Sequence, residues 1–313
     1  MEARPKTRFP GSTKHSSNGK SGYTVLVPLQ DLDLTKTLLP PAIRTAKRHD
    51  GKIILLNIIE IPYQLPPSEA KQFTLEREFK LQYARQIIET AGCDAEIMVR
   101  VAHRIPSAIE QLALSLDIDL IIIWAKNKGL LWNKEIYQKL YAVNSNLVVA
   151  KELVETHFED VFIQVDDLQA ASSMMEHATY LFGNEEGIIH MISEYSENDE
   201  KSTLRKVRSI VDGFHRQNPW FAGKTIIHQL EQKSAAREYL KDIYHKVTGS
   251  TGVLVSYPSG KRSRTDSWLA EVAKDLNLPV YILKIARIEP VGIDRIANQV
   301  QQWLGFASEQ LKA

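Results

Sequence analysis

The sequence predicts an α/β protein built from two tandem doubly wound units, each a five-stranded parallel sheet with helices on both faces. Three observations carry this. Short apolar and β-branched runs alternate with longer segments of helical period, the pattern of βαβ units. The alternation runs through once and begins again near the middle of the chain, at a spacing too long for a solenoid. The chain has 313 residues, 43 % hydrophobic and 25 % charged, which is enough for two ordinary cores.

In the first unit, placed at residues 23–152, Tyr23–Leu29 reads as a buried strand and Leu34–His49 as a helix with Lys47 and Arg48 in its last turn. Lys52–Ile61 is a near-continuous apolar strand, as expected for a sheet covered on both faces. Pro66-Pro67-Ser68 opens a long helix to about Ala91, with Phe73, Phe79 and Tyr83 among its apolar positions. Ala95–Val101, Asp119–Trp124 and Asn146–Ala150 are the remaining strands, with helices at Ile105–Leu116 and Lys134–Tyr141.

The second unit, placed at 157–286, repeats the order. Its strands are Asp160–Val165, Gly187–Glu194, Lys224–Gln229, Gly252–Tyr257 and Val280–Ile285. Between them come helices at Gln169–Phe182, Lys201–Gln217, Ser234–Val247 and Asp266–Leu276, and an amphipathic helix at 291–311 closes the chain. Residues 1–22 carry a net charge of +4, are rich in Gly, Ser and Pro, and read as a disordered basic linker suited to an anionic membrane face.

Composition excludes several classes. The one cysteine, Cys93, permits no internal disulfide and fits a reducing compartment. The longest apolar runs are too short to span a bilayer and residues 1–22 hold no signal-peptide core, so a cytoplasmic chain without membrane insertion is expected. Residues 153–313 carry a net −4, and aromatic residues do not interleave with basic ones, which argues against nucleic acid as a partner.

The run VLVPLQDL, a helix ending AKRHDGK, then IILLNIIEIP, together with DIDLIIIW and NLVVA further on, resembles a universal stress protein domain. DVFIQVDDL and LPVYILK extend the resemblance, more weakly, over 157–285. It implies the Rossmann-like, adenine-nucleotide alpha-hydrolase-like form of the fold. Ile61–Pro66 (IPYQLP) and Arg100–His103 (RVAH) resemble a subgroup in which such paired units form the cytosolic C-terminal part of amino-acid-permease and cation–chloride-cotransporter type transporters. That subgroup implies a regulatory module with a membrane transporter as partner, in cis or in trans, and a homodimer.

Many members of the family bind ATP with an Asp after the first strand and a G-x2-G-x9-G-[ST] loop after the fourth, whose glycines let backbone N–H groups close on phosphate. In the first unit the Asp position is Gln30, with Asp31 beside it, and the loop AKNKGLLWNKE holds one glycine, Gly129, with Lys126 and Lys128. No nucleotide is expected there, because Cβ atoms fill the space a phosphate needs. The second unit offers Asp166 at the acidic position and, after its fourth strand, Gly260 with Lys261, Arg262 and Arg264. This is a candidate anion or nucleotide loop with ATP as its ligand, and it reads also as a solvated connection capped by Thr265, Asp266 or Ser267.

No catalytic set assembles. No two histidines share H-x-x-x-H spacing, His103 stands alone at a strand-to-helix edge, and Cys93 lacks an activating neighbour. The expectation is therefore a regulatory module that is not an enzyme and has no metal or resident cofactor. The alternative is a free-standing stress protein binding a nucleotide through its second unit.

Overall fold

The computed structural model describes residues 22–124, 143–151, 158–165, 168–183, 186–194, 200–230, 241–244, 251–256 and 278–285, with positions 140, 238, 269, 273 and 276. In the first half, β1 (Thr24–Pro28), β2 (Lys52–Glu60), β3 (Asp94–Ala102), β4 (Leu120–Trp124) and β5 (Asn146–Lys151) alternate with α1 (Thr35–Arg48), α2 (Thr74–Thr90) and α3 (Ile105–Ser115). In the second, β6 (Asp160–Val165), β7 (Ile188–Glu194), β8 (Lys224–Leu230), β9 (Thr251–Ser256) and β10 (Val280–Lys284) alternate with α4 (Leu168–Phe182) and α5 (Glu200–Gln217). The helices expected at 134–141, 234–247, 266–276 and 291–311 fall mostly or wholly outside the described residues, as does residues 152–157 between the two units.

The sheet order is β3-β2-β1-β4-β5-β10-β9-β6-β7-β8. Each half is thus the same five-stranded parallel arrangement, its first strand flanked by the second and the fourth. The halves do not remain separate sheets. β5 and β10 pair antiparallel, Val149 opposite Ile282 and Leu147 opposite Lys284, and this joins them into one ten-stranded sheet. Each fifth strand is an apolar edge, and pairing the two covers both. The outer edges instead carry charge, with Asp94, Glu96 and Arg100 along β3 and Lys224 opening β8.

Burial explains the apolar runs. Val25, Leu26 and Val27 of β1 are wholly buried, because alternate side chains enter cores on opposite faces. On one face a single core crosses both halves, taking in Val27, Leu55 and Leu38 with Ile163, Met174 and Phe214. On the other the halves keep separate clusters, one around Leu26, Ile121 and Ile109 and one around Phe162, Val253 and Leu278.

The shared face is pinned where α1 meets α4. Arg44 of α1 donates from Nε to the carbonyl of Tyr180 at 2.6 Å and from Nη2 to that of Leu181, meeting two of the carbonyls that a helix C-terminus leaves without partners. Gly183 ends α4 at φ +67°, and a Cβ there would lie 3.3 Å from the Arg44 guanidinium. Lys284 of β10 reaches the other way, its buried ammonium donating to the carbonyls of Leu140, Val143 and Ser145. Arg48 lies 3.8 Å from the centre of the Trp220 ring, a further contact across the halves.

Candidate functional site

In a doubly wound sheet ligands bind beyond the carboxyl ends of the strands, where the strand order reverses. Among the described residues there are two such places, between β1 and β4 and between β6 and β9.

At the first, polar side chains at the ends of β1 and β2 are bound to backbone. With its amide oriented to satisfy both groups, Gln30 donates to the Ile58 carbonyl at 3.0 Å and accepts from the Ile58 N–H at 3.1 Å. Asn57 donates to the Leu29 carbonyl at 2.8 Å, so the ends of β1 and β2 are laced together. Asp31 accepts from the Asp33 N–H at 3.1 Å and begins the helical turn Leu32–Leu34, so it is committed to a cap. The position where an acidic side chain would meet a nucleoside is therefore an amide bound to backbone. Lys126, Lys128 and Gly129 lie outside the described residues.

His103 stands at the mouth of the same edge. Its Nδ1 lies 3.2 Å from the Ile61 carbonyl, and its ring stacks on the exposed Tyr63 at 4.8 Å and 19°. Both residues belong to the stretches that carry the subgroup resemblance. Cys93 is buried, with its Sγ 3.7 Å from the Ile43 carbonyl, and burial raises its thiol pKa, so it is a packing residue and not a nucleophile.

At the second place, β6 and β9 run side by side in register, Gln164 opposite Val255. The segments that follow them leave the sheet from adjacent points at the reversal. Asp166, Gly260, Lys261, Arg262 and Arg264 belong to those segments and lie outside the described residues.

The structure brings together two polar groups that sequence reasoning missed. Asp160, His190 and His228, from β6, β7 and β8, form a buried chain. His190 Nε2–H donates to Asp160 Oδ1 at 2.8 Å, and the tautomer this sets leaves Nδ1 to accept from His228 Nε2 at 2.9 Å. Phe162 stacks on His190 at 4.4 Å. Burial lowers the pKa of His190 against the pull of Asp160, and burial with the neighbouring His190 lowers His228 to about 4, so both rings are neutral at pH 7. Only strand register places the three on one face.

The other group lies between the halves. Tyr23 stacks on His49 at 4.2 Å, His49 meets Tyr180 edge-on at 5.6 Å, and His177 lies 5.2 Å from Tyr180. Burial holds His49 and His177 each at about 4, and it raises Glu176 above the usual carboxylate range. Among the described residues no group of His, Cys, Asp and Glu is disposed to hold a metal ion, and no helix is long and apolar enough to cross a membrane.

Comparison with known proteins joins this geometry to a family. Residues 23–131 match the universal stress protein family. Those residues are a universal stress protein domain. The second half lies outside that match and repeats the domain's strand order. The two-unit body is similar to a universal stress protein from Archaeoglobus fulgidus DSM 4304 (TM-score 0.57, 15 % identity, 86 % of this chain and 98 % of that one). It is similar as well to the cytoplasmic domain of a prokaryotic cation chloride cotransporter (TM-score 0.52, 10 % identity, 84 % and 96 %). A protein of unknown function from Pseudomonas aeruginosa PAO1 is also similar (TM-score 0.51, 15 % identity, 85 % and 94 %). At these identities the likeness is one of fold. No curated protein matches the chain in sequence.

Proposed function

We propose that the chain is a non-catalytic regulatory module of universal-stress-protein type, working as a homodimer in the cytosol as part of, or bound to, an amino-acid or cation–chloride membrane transporter. The observation that carries this reading is the likeness of the whole two-unit body to a cotransporter's cytoplasmic domain, which it matches over 96 % of that domain's length. The laced edge of the first unit supports it, since the side chain at the acidic position there is an amide held by backbone. The basic residues of 1–22 suit a position beside an anionic membrane face. The test is transport. Deleting the coding segment in its native host, with transporter abundance followed by quantitative proteomics, is expected to change uptake of labelled amino acids or of rubidium and chloride several-fold. Unchanged uptake of both contradicts the reading.

A second reading is favoured by the register of β6 and β9, which start the two candidate segments from neighbouring points. Here Asp166, Gly260, Lys261, Arg262 and Arg264 bind ATP, making the chain a nucleotide-sensing stress protein. ATP at about 100 times its dissociation constant would raise stability by about 2.7 kcal/mol. A melting temperature that does not move with millimolar ATP, or moves equally in Asp166→Ala, removes that site.

A further inference from the structure

Helix α2 has two apolar faces. Leu81, Ala84 and Ile88 are buried against the sheet, while Leu75, Phe79 and Tyr83, on the opposite side at i, i+4 and i+8, are 73 %, 80 % and 61 % exposed. These three side chains leave roughly 400 Å² of mostly apolar surface in water, within the range of the largest patches that single soluble chains carry and that often mark interaction sites. The pseudo-symmetric counterpart α5 supplies a control. It buries Val207, Val211 and Phe214 and turns Lys201, Arg205, Lys206 and Arg208 outward, so the helix's place in the fold does not demand an apolar outer face.

We propose that the outward face of α2 is where a second copy of this chain docks, the two helices running antiparallel about a two-fold axis at Phe79. This rests on the homodimer of the reading above and names its surface. The face is self-complementary. An axis at Phe79 sets the two Phe79 rings together and Leu75 of each copy against Tyr83 of the other. In antiparallel helices the same flank of each meets. One flank carries Glu76 and Lys80, already paired within the helix at 2.5 Å, so each copy's Glu76 meets the other's Lys80. The other flank carries Glu78 and Gln82, which meet as Glu78 against Gln82. A standard interface covers about 800 Å² per partner, so the stripe supplies about half as an apolar centre and these polar residues form the rim.

Sedimentation equilibrium of the isolated chain tests it. Wild type is expected to be a dimer at about 10 µM, and Phe79→Glu is expected to weaken the dimer at least 100-fold with its far-ultraviolet circular dichroism unchanged, since the side chain is exposed within one copy. Phe79→Cys, oxidised, is expected to give a covalent dimer, since Cys93 is buried and the axis brings the two new thiols together. A dimer that survives Phe79→Glu, or Phe79→Cys that gives no cross-link, overturns this surface and leaves the homodimer standing. A wild-type monomer at about 100 µM, above the micromolar range such interfaces reach, overturns both. Neither result bears on the transport experiment.

Discussion

Helices α2 and α5 hold matching places in the two halves, and their outer faces are unlike, one an aromatic stripe and the other a row of lysines and arginines. The carboxyl edges differ in the same way. Gln30 and Asn57 tie the first edge to backbone, whereas β6 and β9 run out into segments bearing Asp166 and three basic residues. Duplication of a fold fixes where the strands lie and how the core fills. It leaves outer faces and edge loops free to diverge. The described outer helix is apolar in the first unit and basic in the second, and the second unit's sequence carries an acidic residue and three basic ones after β6 and β9.

The largest test of the comparison asks whether the halves are energetically separate at all. Phe182, wholly buried at the end of α4, meets Phe158 and Tyr281 edge-on and would sit against any Cβ added at Gly252. Phe182→Ala is expected to cost about 3–5 kcal/mol. Because one core crosses both halves, hydrogen exchange of β1–β5 peptides should accelerate with that of β6–β10. Acceleration confined to the second half would make the units independent.

Asp160→Ala is expected to cost about 2 kcal/mol in urea unfolding, because it leaves a buried imidazole N–H of His190 without its acceptor. A loss under about 0.5 kcal/mol, the scale of ordinary surface changes, would show the buried chain to be energetically idle.

Acid should strain both polar groups. His49, His177 and His228 have pKa values near 4 in the folded chain against an ordinary 6.5, so between those values the unfolded chain binds more protons. Stability is full above pH 6.5 and falls as pH drops toward 4, with a slope of up to about 1.4 kcal/mol per unit for each buried ring. Urea midpoints from pH 7.5 to 4.5 measure this. Replacing His177 with Gln should flatten the curve, and an unchanged slope would take the contact between the halves out of the account.

The smallest effect belongs to the ring under Arg48. Trp220→Leu removes the cation–π contact and is expected to cost about 1 kcal/mol.

Much of the fold was legible in the sequence because strands buried on both faces are written as unbroken apolar runs. IILLNII of β2 and LIIIW of β4 are of this kind, and the helices between them bury residues at helical spacing. The joining of the two sheets was not legible, since the apolar residues of β5 and β10 report that each is covered and not by what. Phe79 and Tyr83 read as apolar positions of a helix, and such a reading does not say whether they meet their own sheet; the structure turns them outward. Asp160, His190 and His228 stand 30 and 38 residues apart, and nothing local marks them as neighbours. At the candidate site, the sequence signal in the first unit is its missing glycines. That Gln30 is bound to Ile58 needed coordinates.

The two units are expected to differ in what they bind: no nucleotide in the first, and any that binds in the second. Calorimetric titration of ATP into wild type, Gln30→Ala and Asp166→Ala tests it directly. At most one site per chain is expected, unaffected by Gln30→Ala and lost in Asp166→Ala. Two sites per chain, or binding lost in Gln30→Ala and kept in Asp166→Ala, would contradict it.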